Sequence, residues 1–133
     1  MEKFGICDII IKNYEGNKNM LSRIKNILEE YVAGLNEIIG ADLKQVILYG
    51  SYARGEQKQD EEISDIDIMI LVDADADEIK KLEKRVLDYS YDLDLKYDIL
   101  LSPMIENVDD YNSRINYITF YKNVKEEGVL ISE

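Results

Sequence analysis

The segment Ile66 to Val72 (IDIMILV) constrains the fold of this chain more than any other stretch. Its residues are apolar and largely β-branched, which is typical of a central strand covered on both faces. Asp67 is the exception, and an unpaired charge buried at such a position costs on the order of several kcal/mol. The segment therefore predicts a helix-covered sheet and implies that Asp67 has a binding role.

Hydrophobic periodicity elsewhere predicts strands alternating with helices. Apolar residues at helical spacing predict helices over 20–39 with Gly40 as a stop, over about 77–89 with Asp75 or Asp77 as N-cap, and over 119–127 before Gly128. Apolar or alternating segments predict strands over 44–49, 66–72, 93–101 and 129–131. Together these predict an α+β (α/β) fold, a mixed sheet flanked by helices. At 133 residues we expect one domain over 1–133, with 1–15 as an N-terminal extension.

The residue types that are missing exclude several kinds of site. The chain has no histidine and one cysteine, Cys7. Ser-His-Asp and Cys-His nucleophilic sites are therefore excluded, an internal disulfide is impossible, and a zinc site lacks its usual ligands. Any acid–base or metal chemistry must rest on carboxylates.

The charge and hydropathy of the chain limit which partners and which cellular location we expect. A net charge of −12 argues against a long nucleic acid partner, since such binding depends on Lys and Arg that neutralise phosphates. It suits a protein with a basic face or a small molecule that carries its own metal. No run of about 18 apolar residues predicts a membrane span, and the N-terminus does not resemble a signal peptide. With a single cysteine, we expect a cytoplasmic protein.

Asp65 and Asp67 form the strongest candidate metal site. Residues two apart in a strand point to the same side, so these carboxylates project together about 6 to 7 Å apart along the chain. At that separation they can share one cation or hold two adjacent ones. The alternative is a pair of exposed acids at the start of a strand. The apolar context of Asp67 favours a metal.

A glycine-marked turn precedes this strand and suits a phosphate. Gly50 and Gly55 bracket a tight connection from a strand to a predicted helix, and Gly50 lets the backbone approach a ligand closely. Ser51 can hydrogen-bond a phosphate oxygen at the helix N-terminus, or act only as a helix cap. Arg54 can clamp a phosphate with two hydrogen bonds, or simply pair with Glu56.

Asp98 is the candidate for a third acid. The predicted strand over 93–101 places it on the polar face, beside the Asp67 strand, where it could bind metal and accept a proton. Asp94 on the same face is its rival, and either residue could be a solvated strand residue.

The combined motifs resemble a known family. Gly50-Ser51-x-Ala53-Arg54-Gly55 followed by Ser64-Asp65-x-Asp67 is similar to the signature of the polymerase-β-like nucleotidyltransferase superfamily, in its minimal nucleotidyltransferase branch. The segment 97–100 (YDIL) resembles the third-aspartate strand of that family, and 120–130 resembles a common C-terminal ending. The likeness covers about residues 20 to 131. One departure is the long connection of 13 residues, 52–64, whose acidic part 56–62 is interpreted as a lengthened surface loop.

The resemblance implies a palm-like fold and an active enzyme. Asp65, Asp67 and Asp98 would bind two Mg²⁺ ions, and Gly50, Ser51 and Arg54 would hold the triphosphate of ATP. The implied reaction transfers a nucleoside monophosphate, usually AMP, to a hydroxyl acceptor.

The acceptor and partner are open at this point. A chain of this length has no room for the acceptor-binding domain of larger relatives, so the acceptor site would come from a partner protein or a homo-oligomer. The branch includes antitoxins paired with helical HEPN-type RNase toxins. Two alternatives stay open: a non-catalytic antitoxin or binding module that acts by contact, and a small-molecule adenylyltransferase of the aminoglycoside type.

Overall fold

The computed structural model describes residues 18–54 and 65–132 of the chain. In chain order the elements are α1 (Lys18–Ile39), a 3-10 turn (Gly40–Asp42), β1 (Leu43–Tyr49), α2 (Ser51–Arg54), β2 (Asp65–Val72), α3 (Ala76–Tyr97), β3 (Leu100–Asn107), α4 (Val108–Arg114), α5 (Thr119–Glu127) and β4 (Val129–Ser132). The N-terminal extension over 1–15 and the acidic loop over 56–62 lie outside the described residues.

The four strands form one mixed sheet in the order β3-β2-β1-β4. Strand β1 is antiparallel to both β2 and β4, whereas β2 and β3 are parallel. The predicted α+β class with a mixed sheet and flanking helices is therefore confirmed, and 66–72 lies in a central strand as expected.

The side chains of β2 alternate between two hydrophobic clusters, which explains its apolar sequence. Ile66, Ile68 and Ile70 pack in the larger cluster with α1 and α3. Met69 and Leu71 pack in a smaller cluster with α4 and α5. By the same two-residue period, Asp67 belongs to the α4/α5 face of the sheet.

The predicted strand over 93–101 is wrong. Helix α3 continues to Tyr97, and the next strand begins only at Leu100. The alternation of Leu93 with Leu95 suggested one shared face, but Leu93 is 4% exposed and Leu95 is 69% exposed. These two side chains lie on different sides of a helix, so a period of 3.6 residues, not of 2, governs the segment.

Contacts with α1 account for the length of α3. The Tyr89 hydroxyl donates to the Glu30 carbonyl at 2.6 Å, and the Lys96 ammonium lies 2.7 Å from the Glu30 carboxylate. The Tyr97 hydroxyl also donates to that carboxylate. Because these partners are far apart in sequence, local periodicity carries no sign of them.

Several predicted boundaries agree with the structure. Helix α1 ends before Gly40, which has a φ of +72°. The Asp75 side chain caps α3 by accepting from the Glu78 N–H at 2.9 Å. Helix α5 spans 119–127 as predicted, and β4 forms an edge of the sheet. Within the described residues, no helix is long and apolar enough to cross a membrane.

Candidate active site

Asp65 and Asp67 lie at the beginning of β2, where the strand emerges from the core. Asp65 is exposed and Asp67 is half-buried, and both belong to the same face of the sheet. Asp65 is in register with Leu100 of β3, and Asp67 is in register with Tyr49 of β1 and Ser102 of β3. The carboxylate pair predicted from the sequence is therefore placed together, at one end of the two central strands.

The glycine turn packs directly on Asp67 of this pair. Gly50 has a φ of +77°, a conformation that side chains disfavour. A Cβ added to Gly50 would overlap the Asp67 carboxylate, whose Cγ would lie only 3.2 Å from it. The absence of a side chain at Gly50 thus serves both the backbone turn and the position of Asp67. Two motifs whose key residues are 17 positions apart in the sequence are therefore adjacent in the structure.

The other residues predicted to bind phosphate are only partly described. Ser51 begins the short helix α2 and is half-buried, while Ala53 of that helix is buried. The Arg54 side chain, Gly55 and Ser64 lie outside the described part of the chain. The phosphate-binding roles of Ser51 and Arg54 stay predictions.

Tyr49 borders the site and was not singled out from the sequence. Burial, together with the nearby charge of Asp67, raises the pKa of Tyr49 to about 12. Its ring packs edge-on against Phe120 of α5, with centroids 5.5 Å apart. The sequence signal was available, since Tyr49 immediately precedes the glycine turn, but only the strand register places it opposite Asp67.

Asp98 lies at the end of α3 and not within a strand. It has a φ of +54°, the one positive φ among the described residues other than glycine. Strand β3 begins two residues later, next to Asp65. Glycine is the usual choice for a left-handed residue that ends a helix. Aspartate is one of the few other residues that adopt this conformation readily.

The rival acid, Asp94, has a structural partner in β3. Its carboxylate accepts a hydrogen bond from the Leu101 N–H at 2.8 Å. Burial raises the pKa of Asp94, and this hydrogen bond partly opposes the effect. Asp94 therefore joins α3 to the outer edge of β3.

The donor set fits a divalent metal in part. Two carboxylates on one strand face are the hard oxygen ligands that Mg²⁺ prefers. Within the ranges that the structure describes, however, no group of three or more acidic, histidine or cysteine side chains converges on one point. Asp65 and Asp67 can thus supply a metal site together, while Asp98 lies two residues before the neighbouring strand β3.

Comparison with known proteins gives the class to which this site belongs. Residues 21–129 match the family model described as a nucleotidyltransferase domain, so the chain belongs to the polymerase-β-like nucleotidyltransferases and is an enzyme of that class. The predicted family resemblance is confirmed.

Its relatives include three proteins of Methanocaldococcus jannaschii. The chain is 37% identical over 101 residues to "Putative protein adenylyltransferase MJ0604". The aligned region covers 76% of this chain and 90% of that protein. It is 42% identical over 82 residues to "Putative protein adenylyltransferase MJ0141", covering 62% and 78% of the two chains. It is also 40% identical over 86 residues to "Putative protein adenylyltransferase MJ1215", covering 64% and 92%. No solved structure matches the chain.

Proposed function

We propose that this nucleotidyltransferase transfers AMP from ATP to a hydroxyl group of another protein, in a Mg²⁺-dependent reaction. The observation that carries the proposal is the packing of the Gly50 turn on the Asp67 carboxylate. This arrangement puts a backbone suited to phosphate next to a pair of metal-binding oxygens. The names of the relatives, which describe protein adenylyltransferases, support AMP as the transferred group and a protein as the acceptor.

In this proposal Asp65 and Asp67 would hold the Mg²⁺ ion. When bound, Mg²⁺ supplies positive charge that offsets the charge of the phosphates during the displacement. The Gly50 turn admits the phosphates close to the backbone, and Ser51 and Arg54 hydrogen-bond their oxygens. These residues fix the direction of attack, so positioning and charge account for the rate.

Asp98 acts as the proton acceptor in the same proposal. The acceptor oxygen attacks the α-phosphorus, a new P–O bond forms, and the bond to pyrophosphate breaks. The hydroxyl proton passes to the Asp98 carboxylate, and pyrophosphate leaves with the electron pair of the broken bond. The position of Asp98, two residues before the strand that pairs with Asp65, supports this role.

The acceptor protein that we propose is a helical toxin of the HEPN type, which AMP transfer would inactivate. A net charge of −12 suits a partner with a basic surface. The test incubates the chain with the partner, Mg²⁺ and ATP labelled at the α-phosphate. Label is expected on a partner hydroxyl, and none in the D65N/D67N variant, whose fold is checked by circular dichroism.

A contact-only binding module is the second candidate. It is favoured by one observation, that the described acids do not form a three-ligand group. The two candidates separate in a growth assay with the partner toxin. The catalytic proposal is wrong if the wild type transfers no label to the partner and the D65N/D67N variant rescues growth as well as the wild type does. Rescue that requires the two aspartates supports it.

A further inference from the structure

A row of aromatic side chains lies on the α4/α5 face of the sheet. The ring of Tyr111 packs against Tyr121 with centroids 5.2 Å apart, and Tyr121 lies 6.0 Å from Phe120. Phe120 in turn packs on Tyr49 of β1 at 5.5 Å. Tyr111 is buried in the smaller hydrophobic cluster, and Tyr49 and Tyr121 are half-buried. Phe120, which is 39% exposed, is therefore the member of this row that presents its ring to solvent.

Strand register puts the row beside the candidate carboxylates. Tyr49 is directly opposite Asp67 in the antiparallel pair of β1 and β2. Residues opposite each other in such a pair project from the same face, with Cβ atoms about 5 Å apart. The Tyr49 and Phe120 rings meet at an interplanar angle of 85°, the edge-to-face packing that aromatic pairs favour. Only the Tyr49 side chain thus stands between the exposed Phe120 ring and Asp67.

Strand β3 (LLSPMIEN) forms the other side of the carboxylate pair and contains no aromatic residue. Leu100 is in register with Asp65, and Ser102 is in register with Asp67, so these side chains share one face of the sheet. Leu100 and Ser102 are exposed, and Asp98 lies two residues before the strand. The carboxylates therefore have an aromatic side, at β1 and α5, and a non-aromatic side, at β3.

The proposed reaction indicates which part of the substrates faces each side. In a displacement at phosphorus the attacking and leaving oxygens lie roughly in line. The proposed roles put pyrophosphate on the Gly50 turn and the acceptor hydroxyl near Asp98, at the β3 side. The nucleoside is attached to the same phosphorus and therefore extends in a third direction. The aromatic side is left for it, and a nucleobase is a flat ring system that stacks on aromatic side chains.

We propose that the exposed ring of Phe120, packed edge-on against Tyr49, stacks on the base of the nucleotide bound at the candidate site. This inference rests on the proposed function, because the nucleotide is the donor of that reaction. It assigns the aromatic side to the donor base and leaves the β3 side for the acceptor. Stacking strengthens nucleotide binding and takes no part in the displacement, so Phe120 is a binding residue.

The first test compares the binding of Mg²⁺–ATP with that of Mg²⁺–tripolyphosphate, which has no base, by isothermal titration calorimetry. The Phe120→Leu variant keeps an apolar side chain against Tyr49 and removes the ring. It is expected to weaken ATP binding about 5- to 100-fold, which corresponds to about 1 to 3 kcal/mol. Binding of tripolyphosphate should stay unchanged, which also shows that the variant is folded.

Two further variants are matched controls. Phe120→Tyr keeps an aromatic ring and should bind ATP within about threefold of the wild type. Tyr91→Leu removes a 62% exposed ring from α3, a helix that packs on the other face of the sheet. It should leave the binding of both ligands unchanged.

Nuclear magnetic resonance locates the base directly in the wild type. The chain has two phenylalanines, Phe4 and Phe120, so ¹³C-phenylalanine labelling gives two sets of ring signals, which the Phe120→Leu spectrum assigns. Nuclear Overhauser contacts are expected between the base protons of ATP and the Phe120 ring. Contacts of the base with the Leu100 methyl groups instead would put the base on the β3 side and overturn the inference.

The binding data can overturn the inference in three further ways. Phe120→Leu can bind ATP as tightly as the wild type, or it can lose ATP and tripolyphosphate binding equally. It can also raise the KM for the acceptor protein with ATP binding unchanged, which would mean that the ring contacts the acceptor.

Failure of the proposed function gives a different result. If the wild type transfers no AMP although its ATP binding depends on Phe120, stacking stands and the transfer reaction does not. If AMP transfer proceeds and ATP binding is independent of Phe120, the transfer reaction stands and stacking does not. A wild type that binds no ATP would overturn both.

Discussion

Gly50 and Asp67 are in direct contact, with the Asp67 carboxylate occupying the space in which a Gly50 side chain would lie. This contact links the glycine turn that we propose binds phosphate to the strand that we propose binds a metal ion. A change at either residue is therefore expected to affect both motifs.

Gly50→Ala should abolish nucleotide transfer, because the new Cβ displaces the Asp67 carboxylate. Gly40→Ala is the matched control. Gly40 also has a positive φ, but nothing lies within 4 Å of its added Cβ. Each variant should lose about 1 to 2 kcal/mol of unfolding free energy from backbone strain. Transfer of labelled AMP and denaturant unfolding measure the two effects, and loss of activity in Gly40→Ala would contradict the assignment.

Asp98→Gly should abolish transfer, because glycine has no carboxylate to accept the proton. Glycine also relieves the left-handed conformation at φ +54°, which is worth on the order of 1 kcal/mol. If Asp98 served folding alone, its replacement would leave transfer intact. Activity assays and thermal unfolding of this variant decide the matter. An active Asp98→Gly enzyme would remove Asp98 from the catalytic residues.

The pKa of Tyr49 should depend on the charge of Asp67. Burial is the main cause of its pKa of about 12, and the Asp67 carboxylate raises it further. Asp67→Asn is expected to shift this titration to lower pH, as followed by tyrosinate absorbance against a Tyr49→Phe reference. Asp65→Asn is the control, since Asp65 is not among the causes of the shift. An identical shift in both variants would argue against the Tyr49–Asp67 pair.

The same group contributes to stability at alkaline pH. The folded state holds the Tyr49 proton more tightly than the unfolded state, whose tyrosines titrate near pH 10. Its contribution is therefore complete below about pH 10 and is lost as the pH rises toward 12. Melting temperatures measured across this range should fall less steeply in Tyr49→Phe than in the wild type. A steeper fall would contradict the sign of the effect.

Two buried tyrosines should respond oppositely to loss of their hydroxyl groups. The Tyr111 hydroxyl is buried and has no hydrogen-bond partner among the described residues, so Tyr111→Phe should raise the unfolding free energy by about 1 kcal/mol. The Tyr31 hydroxyl lies 2.7 Å from the Ser90 Oγ, so Tyr31→Phe should lower it by a similar amount. Denaturant unfolding of both variants tests this contrast. A loss of stability in Tyr111→Phe would mean that its hydroxyl has a partner.

Much of the fold was readable from local pattern. The central strand followed from an apolar, β-branched run, and α5 from helical spacing that ends before Gly128. The segment over 93–101 was not readable in this way, because its alternating apolar residues fit a strand as well as they fit a helix. Contacts of Tyr89, Lys96 and Tyr97 with Glu30 favour the helix, and they join residues about sixty positions apart.

The sequence by itself determined that Asp65 and Asp67 share one face of a strand, because the two-residue period of a strand leaves no other arrangement. It also indicated that acid–base and metal chemistry would rest on carboxylates, because histidine is absent. Only the tertiary structure decided that Gly50 packs on Asp67, that Tyr49 lies opposite it, and that Asp98 ends a helix. These relationships depend on strand register and helix packing between distant segments, and such contacts are set by the packing of the whole domain.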